Sequence, residues 1–234
     1  MKLTIVVTVY NEKDTIVRAI EQAKALNLEK QIIVIDNCST DGTREILRQL
    51  NNKELEIVYQ SGNYGYGMSV ITGMRLAKGE YMYVHNSDLE YDPVCVYEML
   101  RIAEEEQLDA VFGSRLFHRR GESKLSIIKT RPFYLGTIIT TFLTNVFYRK
   151  DFTDIIGCRF YRTSALKAIN PRIQGIGFDF EVVSKLAKLG YKLKEIPVQY
   201  YPRTKGKKIK VYDIIPAVWT MIKIKFFDRR GSNG

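Results

Sequence analysis

Polar and apolar positions follow two alternating periods through the first half of the chain. Residues 3–9 are an unbroken run of aliphatic and β-branched side chains, the mark of a buried strand. Residues 13–25 then place Ile16, Ala19, Ile20 and Ala23 at helical spacing. The exchange repeats as strand 31–35, helix 43–50, strand 55–59, a glycine-rich loop over 61–67, helix 68–77 and strand 80–85. Such alternation predicts an α/β fold with a parallel sheet covered by helices on both faces. The second half is less regular. It predicts helix 93–106, strand 110–113, a charged loop over 114–124, a helical stretch near 127–148, strand 158–161, helix 178–189, strand 191–200 and a last helix within 211–227. No repeat or linker tract breaks the chain, so one compact unit is expected.

The most informative segment reads Tyr81-Met82-Tyr83-Val84-His85-Asn86-Ser87-Asp88-Leu89-Glu90-Tyr91-Asp92-Pro93. Asn86, Asp88, Glu90 and Asp92 fall at alternate positions, and alternate residues of an extended segment point the same way. Several oxygen ligands would then converge beyond the carboxyl end of a strand, where open α/β sheets bind ligands. Such a set suits Mg2+ or Mn2+, held by a few carboxylates together with substrate phosphates. The plainer reading is a polar turn that faces water, and this segment alone does not separate the two.

Composition narrows the choice. At 234 residues, 45% hydrophobic and 26% charged, the chain suits one globular domain with at most a modest appendage. A formal net charge of +10 points to an anionic partner: nucleic acid, an anionic membrane surface or a phosphorylated substrate. Cys38, Cys95 and Cys158 are widely spaced, which argues against a disulfide framework or a zinc site and fits a reducing cytosol. With only His85 and His118 present, histidine-based metal or triad chemistry is disfavoured. The longest uncharged stretch, 132–148, is diluted by Thr137, Thr140, Thr141, Thr144 and Asn145 and reads as a core or interfacial helix. No cleavable leader pattern follows Met1. The expected location is the cytoplasm, with peripheral contact at the cytoplasmic membrane face left open.

Five short motifs stand in order along the chain. They are Thr8-Val9-Tyr10-Asn11-Glu12, Asp36-Asn37-Cys38-Ser39-Thr40-Asp41-Gly42-Thr43, Asn63-Tyr64-Gly65-Tyr66-Gly67, Asn86-Ser87-Asp88-Leu89-Glu90 and Gly113-Ser114-Arg115. In that register the chain resembles family 2 glycosyltransferases of the GT-A type, nearest in pattern to dolichol-phosphate mannose synthases and related polyprenyl-phosphate glycosyltransferases. The resemblance covers residues 6–210. It implies a Rossmann-like, mostly parallel sheet in a GT-A domain over 1–210, with a nucleotide-sugar-binding half (1–113) and an acceptor-binding half (114–210). A C-terminal amphipathic helix and tail (211–234) would follow. It also implies a nucleotide-sugar donor (GDP-mannose or a UDP-sugar), Mg2+ or Mn2+, and inversion at the anomeric carbon. By the same resemblance Tyr10, Glu12 and Asp36 line the nucleoside pocket and Gly65 belongs to the donor loop. Asn86, Asp88 and Glu90 would hold the metal on the diphosphate, and Arg115, Arg131 and Arg203 would bind phosphate. Asp88 and Arg115 would act in catalysis, Asp179 would be the base for a hydroxyl acceptor, and Asp154 would lie beside the acceptor.

The chemistry asked of these residues is plain. Expelling a nucleoside diphosphate requires stabilising the charge that builds on it, by a Lewis-acidic cation and by charge-assisted bonds from arginine. Two departures from the family pattern offset each other: Asn86 removes a negative charge that Glu90 restores. A third is uncompensated, since after Arg203 and Gly206 the family's Ser-Lys pair gives way to Lys207-Lys208. A base is needed for a sugar hydroxyl and not for a phosphate acceptor. Asp179 and Glu181 also suit a plainer role, negative charge at the start of a helix. The tail sets Ile215, Val218, Trp219, Ile222 and Phe226 on one stripe beside a lysine-rich run, read either as an interfacial helix or as a helix docked on the core. Polyprenyl phosphate is therefore placed first as acceptor and a glycan hydroxyl in cell-surface polysaccharide synthesis second. A basic nucleic-acid-binding protein is the non-enzymatic alternative, disfavoured because no nucleic-acid motif is present.

Overall fold

The computed structural model describes residues 1–50, 54–130, 134–203 and 214–228. Its strands are β1 (Leu3–Val9), β2 (Lys30–Asp36), β3 (Leu55–Tyr59), β4 (Tyr81–Asn86), β5 (Ala110–Ser114), β6 (Cys158–Arg162) and β7 (Leu193–Pro197). Its α-helices are α1 (Ile16–Ala25), α2 (Thr43–Gln49), α3 (Tyr66–Leu76), α4 (Cys95–Glu105), α5 (Lys124–Thr130), α6 (Leu135–Tyr148), α7 (Thr163–Ala168), α8 (Phe178–Lys188) and α9 (Ile214–Phe226). The strands form one seven-stranded sheet in the order β3-β2-β1-β4-β6-β5-β7. Only β6 runs antiparallel to its neighbours, β4 and β5. This is the mostly parallel α/β GT-A architecture that the sequence predicts.

β1 lies between β2 and β4 and is buried along its whole length, which is why it carries no charge. Its residues serve two cores. Leu3, Ile5, Val7 and Val9 pack with α1 and α4, while Val6 joins α3, α8 and α9 on the other face. The chain steps from β1 outward to β2 and β3, then returns to place β4 on the opposite side of β1. The carboxyl ends of β1 and β4 therefore flank a topological switch point, where a crevice opens.

Several predicted elements differ in extent. Within the helical stretch expected near 127–148 the described elements are α5, ending at Thr130, and α6, beginning at Leu135. α7 was not foreseen, because six residues are too few to display a period. β7 covers only the middle of the strand expected over 191–200.

Candidate active site

A cavity of about 650 Å3 lies at this switch point. The ends of β1 and β4 supply Thr8, Tyr10, Asn86, Asp88 and Glu90, with Glu12 entering from the turn after β1. The loop before α3 and its first turn supply Asn63, Gly65, Tyr66 and Ser69. Arg115, Arg159, Asp179, Tyr200 and Arg203 close it from the second half, and Leu135, Ile156, Ile176, Phe180, Ile214 and Ala217 give it an apolar flank. Of the residues singled out in the sequence, Tyr10, Glu12, Gly65, Asn86, Asp88, Glu90, Arg115, Asp179 and Arg203 share this wall. Arg131 lies outside the described residues, as does the basic run 204–210.

The expected extended alternation after β4 does not hold. Leu89 takes a left-handed conformation (φ 58°), so the chain turns after Asn86. Asp92 is carried away from the cavity and accepts the backbone N–H of Val94 at 3.0 Å. Within the turn, Asp88 Oδ1 accepts the N–H of Glu90 at 3.2 Å. Glu90 accepts Tyr200 O–H at 3.1 Å and the backbone N–H of Arg203 at 3.2 Å. Asn86 Oδ1 accepts Thr8 O–H at 3.2 Å. The Arg203 guanidinium donates to Glu12 at 2.9 and 3.1 Å and stands 3.9 Å from Asp88 Oδ2.

Among the described residues no group of three His, Cys, Asp or Glu side chains is arranged to hold a metal. Glu90, expected as a third ligand, is engaged by Tyr200 and Arg203. Asp88 fits a hard cation better. Burial raises its pKa, and the neighbouring charges of Glu90 and Glu12 raise it further. That is the condition of a carboxylate short of positive charge. With the amide oxygen of Asn86 on the same turn, the donor set contains only oxygen, as Mg2+ or Mn2+ prefers.

Three carboxylates outside this turn have defined partners. Asp36 is fully buried, binds Arg44 Nε at 2.6 Å and accepts the N–H of Ser39 at 3.1 Å. It does not line the cavity, and its neighbour Asn37 does. Asn37 bridges to the Asn63 amide at 2.9 Å and to the N–H of Tyr64 at 3.0 Å, fastening the glycine-rich loop to the end of β2. Asp154 is also fully buried and grips Arg115 at 2.6 and 3.1 Å, while the guanidinium lies 5.3 Å from the Tyr134 ring and 5.4 Å from the Tyr200 ring. Arg115 thus faces the cavity with its charge already matched. Glu181 accepts the N–H groups of Arg172 and Ile173 at 2.9 and 2.7 Å and pins the loop before α8.

Asp179 differs from all three. It sits in the first turn of α8 without capping it, and its Oδ2 accepts Arg159 Nη2 at 2.7 Å. Oδ1 is buried with no partner among the described residues. Burial raises the Asp179 pKa and the Arg159 charge opposes that rise. Sequence reasoning missed Arg159, Tyr66, Ser69 and Tyr200. The available signal was a charge at Arg159 within the β6 sequence Cys158-Arg159-Phe160-Tyr161, ahead of the strand-end Arg162.

The protein-family model described as Glycosyl transferase family 2 matches residues 4–169. Over 233 residues, 98% of this chain and 54% of the relative, the chain is 25% identical to the low-salt glycan biosynthesis hexosyltransferase Agl6 of Haloferax volcanii. It is 29% identical over 199 residues, 84% of this chain and 62% of the relative, to glycosyltransferase AglJ of the same organism. The chain therefore spans little more than half the length of these relatives. Mannosyltransferase PcManGT from Pyrobaculum calidifontis, solved with GDP-Man and Mn2+, superposes with a TM-score of 0.63 at 16% identity, over 95% of this chain and 69% of that one.

Proposed function

Because the chain belongs to glycosyl transferase family 2, we propose that its cavity takes a nucleotide-sugar donor, GDP-mannose or a UDP-sugar, and transfers the sugar with inversion to a glycan hydroxyl. The observation that carries the acceptor class is Asp179, a buried carboxylate with one unengaged oxygen on the cavity wall. The three arginines of that wall face Asp154, Asp179 and Glu12, so among the described residues each is already matched to a carboxylate. An anionic phosphate acceptor would add charge that these groups do not balance, whereas a neutral hydroxyl adds none. In the transfer, the hydroxyl proton passes to Asp179 Oδ1 and the hydroxyl oxygen attacks the anomeric carbon opposite the leaving group. The bond from that carbon to the phosphate oxygen breaks, and its electron pair leaves with the nucleoside diphosphate. A divalent cation at Asp88 would supply Lewis-acid stabilisation of that diphosphate. Arg203 lies beside Asp88 and would turn its guanidinium from Glu12 to the phosphates.

A second reading keeps the donor and takes polyprenyl phosphate as acceptor, with peripheral attachment at an anionic membrane surface on the cytoplasmic side. The apolar flank of the cavity supports it, because Leu135 and Ile214 belong to α6 and α9, which also carry outward apolar side chains. On either reading residues 1–113 would supply the donor half and the described residues from 114 to 203 the acceptor half, with Arg203 reaching back to the donor phosphates. The test is transfer from labelled GDP-mannose and UDP-sugars with Mn2+, offered polyprenyl phosphate or a lipid-linked glycan. Transfer to the glycan supports the first reading. Transfer to the lipid phosphate alone replaces it with the second, and turnover of no donor overturns both.

A further inference from the structure

Arg159 reaches the cavity from β6 and meets two elements at once. Its Nη2 is 2.7 Å from Asp179 Oδ2 on α8, and its Cζ lies 5.2 Å from the ring centroid of Tyr66 on α3. The Tyr66 ring in turn packs edge-on against Phe178, the residue before Asp179, at 6.2 Å. Four buried polar atoms on this part of the wall have no partner among the described residues: Tyr66 Oη, Ser69 Oγ, Arg159 Nε and Asp179 Oδ1. Buried groups left in this state are destabilising and rare unless something else completes them. The set mixes donors with an acceptor and carries no net charge, as an uncharged polyol requires.

We infer that Arg159 is a positioning residue for Asp179, keeping its carboxylate ionised and fixing Oδ1 as the oxygen that meets an acceptor hydroxyl. The inference rests on the hydroxyl-acceptor reading above. Among the described residues three titratable groups interact with Asp179: Arg159 and Tyr161 from β6, and Tyr66 from α3. Asp88 lines the same cavity, and its charge acts on Tyr66. From α6 and α9 the cavity receives only uncharged residues, Leu135, Gly136, Thr137, Thr140, Ile214 and Ala217. Glu181, on the same helix as Asp179, is occupied by Lys185 and the backbone of Arg172 and Ile173. Among the described residues, Arg159 is thus the one cation of the cavity wall paired with Asp179. A guanidinium beside a carboxylate lowers its pKa by about 1–3 units. Without it, burial alone would set the protonation of Asp179.

The test uses the full ligand-free chain and an infrared pH titration of the carboxyl band that disappears in Asp179→Asn. That band is expected to titrate about one unit or more higher in Arg159→Gln than in the parent, and near the parent value in Arg159→Lys. In the transfer assay the acid limb of the kcat profile should move upward with it, at nearly constant KM for the donor. Arg159→Lys keeps the charge but loses the planar fork. It should lower kcat with the limb unmoved, and it serves alone if Arg159→Gln does not fold. An Asp179 band that titrates alike in all three proteins overturns the inference. So does a kcat loss of the same factor at every pH in Arg159→Gln, or a limb displaced in Arg159→Lys. If no donor turns over, the functional reading falls while the infrared result still decides the role of Arg159.

Discussion

The guanidinium of Arg203 lies 2.9 Å from Glu12, 3.9 Å from Asp88 and 4.0 Å from Glu90, so one positive charge serves three negative ones. A divalent cation arriving at Asp88 would meet that charge. A unit pair at 4 Å is worth about 4 kcal/mol at an effective dielectric of 20, less where water penetrates. Arg203→Ala should therefore bind Mn2+ at least about tenfold more tightly in the donor-free protein, about 1.4 kcal/mol. Titration followed by the Mn2+ electron-spin signal measures this, and weaker binding would show that Arg203 helps the cation rather than competing with it. The motifs made Glu12, Asp88 and Glu90 visible as residues, because they are local. The partners were not. Arg44 reaches Asp36 from 8 residues away, Asp154 reaches Arg115 from 39, and Arg203 reaches Glu12 from 191. One-dimensional spacing carries no trace of such pairings.

His85 raises a different question at the same scale. It is buried in β4, and burial pushes its pKa down from 6.5 to about 4. The unfolded chain therefore binds a proton near pH 6.5 that the folded chain refuses until about pH 4. Stability contributed by the neutral imidazole is present above pH 6.5 and is lost as pH falls through this window, by about 3 kcal/mol in all. Urea denaturation at several pH values should show this slope in the parent. His85→Gln should flatten it, and an unchanged slope would place the acid sensitivity elsewhere.

Between elements, the glycine-rich loop before α3 serves packing. Gly65 takes φ +88°, and a Cβ there would lie 2.8 Å from the carbonyl oxygen of Gln174. At Gly67 a Cβ would lie 2.4 Å from the carbonyl oxygen of Ile173 and 2.7 Å from Phe178 Cβ. Backbone approach this close lets Met68 N–H bond the Gln174 carbonyl at 2.9 Å and brings α3 against the start of α8, where Tyr66 meets Arg159. Gly67→Ala should cost about 1–3 kcal/mol through forced backbone movement. Gly175→Ala, where nothing lies within 4 Å of the added carbon, should be near neutral in the same denaturation series. Equal effects would disprove the packing account. The glycines were visible in the sequence, but their neighbours 106 to 111 residues on were not. Likewise the leucine at position 89 gave no warning of its left-handed turn, since such residues seldom adopt one.

Seen whole, the alternating elements of the first half predicted the parallel sheet, while the antiparallel insertion of β6 between β4 and β5 left no periodic mark. The surface adds something that the sequence divided into alternatives. α9 packs Ala217, Met221 and Ile224 inward, yet exposes Ile215 (73%) and Trp219 (61%), so it is both docked and apolar outside. α6 is turned inside out: Thr137, Thr140, Thr141 and Thr144 are buried, while Phe142 (51%) and Val146 (57%) face outward. The Thr140 and Thr144 hydroxyls donate to backbone carbonyls one turn earlier, which permits this inversion. The two helices touch through Phe147 and Phe226, 5.7 Å apart, and Lys124 covers the Phe142 ring. An apolar surface beside lysines on a chain of charge +10 suits an anionic lipid surface. The full chain should therefore co-sediment with phosphatidylglycerol vesicles more than with phosphatidylcholine vesicles, and less at high salt. Removing two apolar anchors in Phe142→Ser/Trp219→Ser should weaken binding at least about tenfold, since each buried side chain contributes roughly 1.5–3 kcal/mol. Vesicle binding unchanged by that pair would exclude this face, and a monomer–dimer shift in the same variant would assign it to a second copy of the chain.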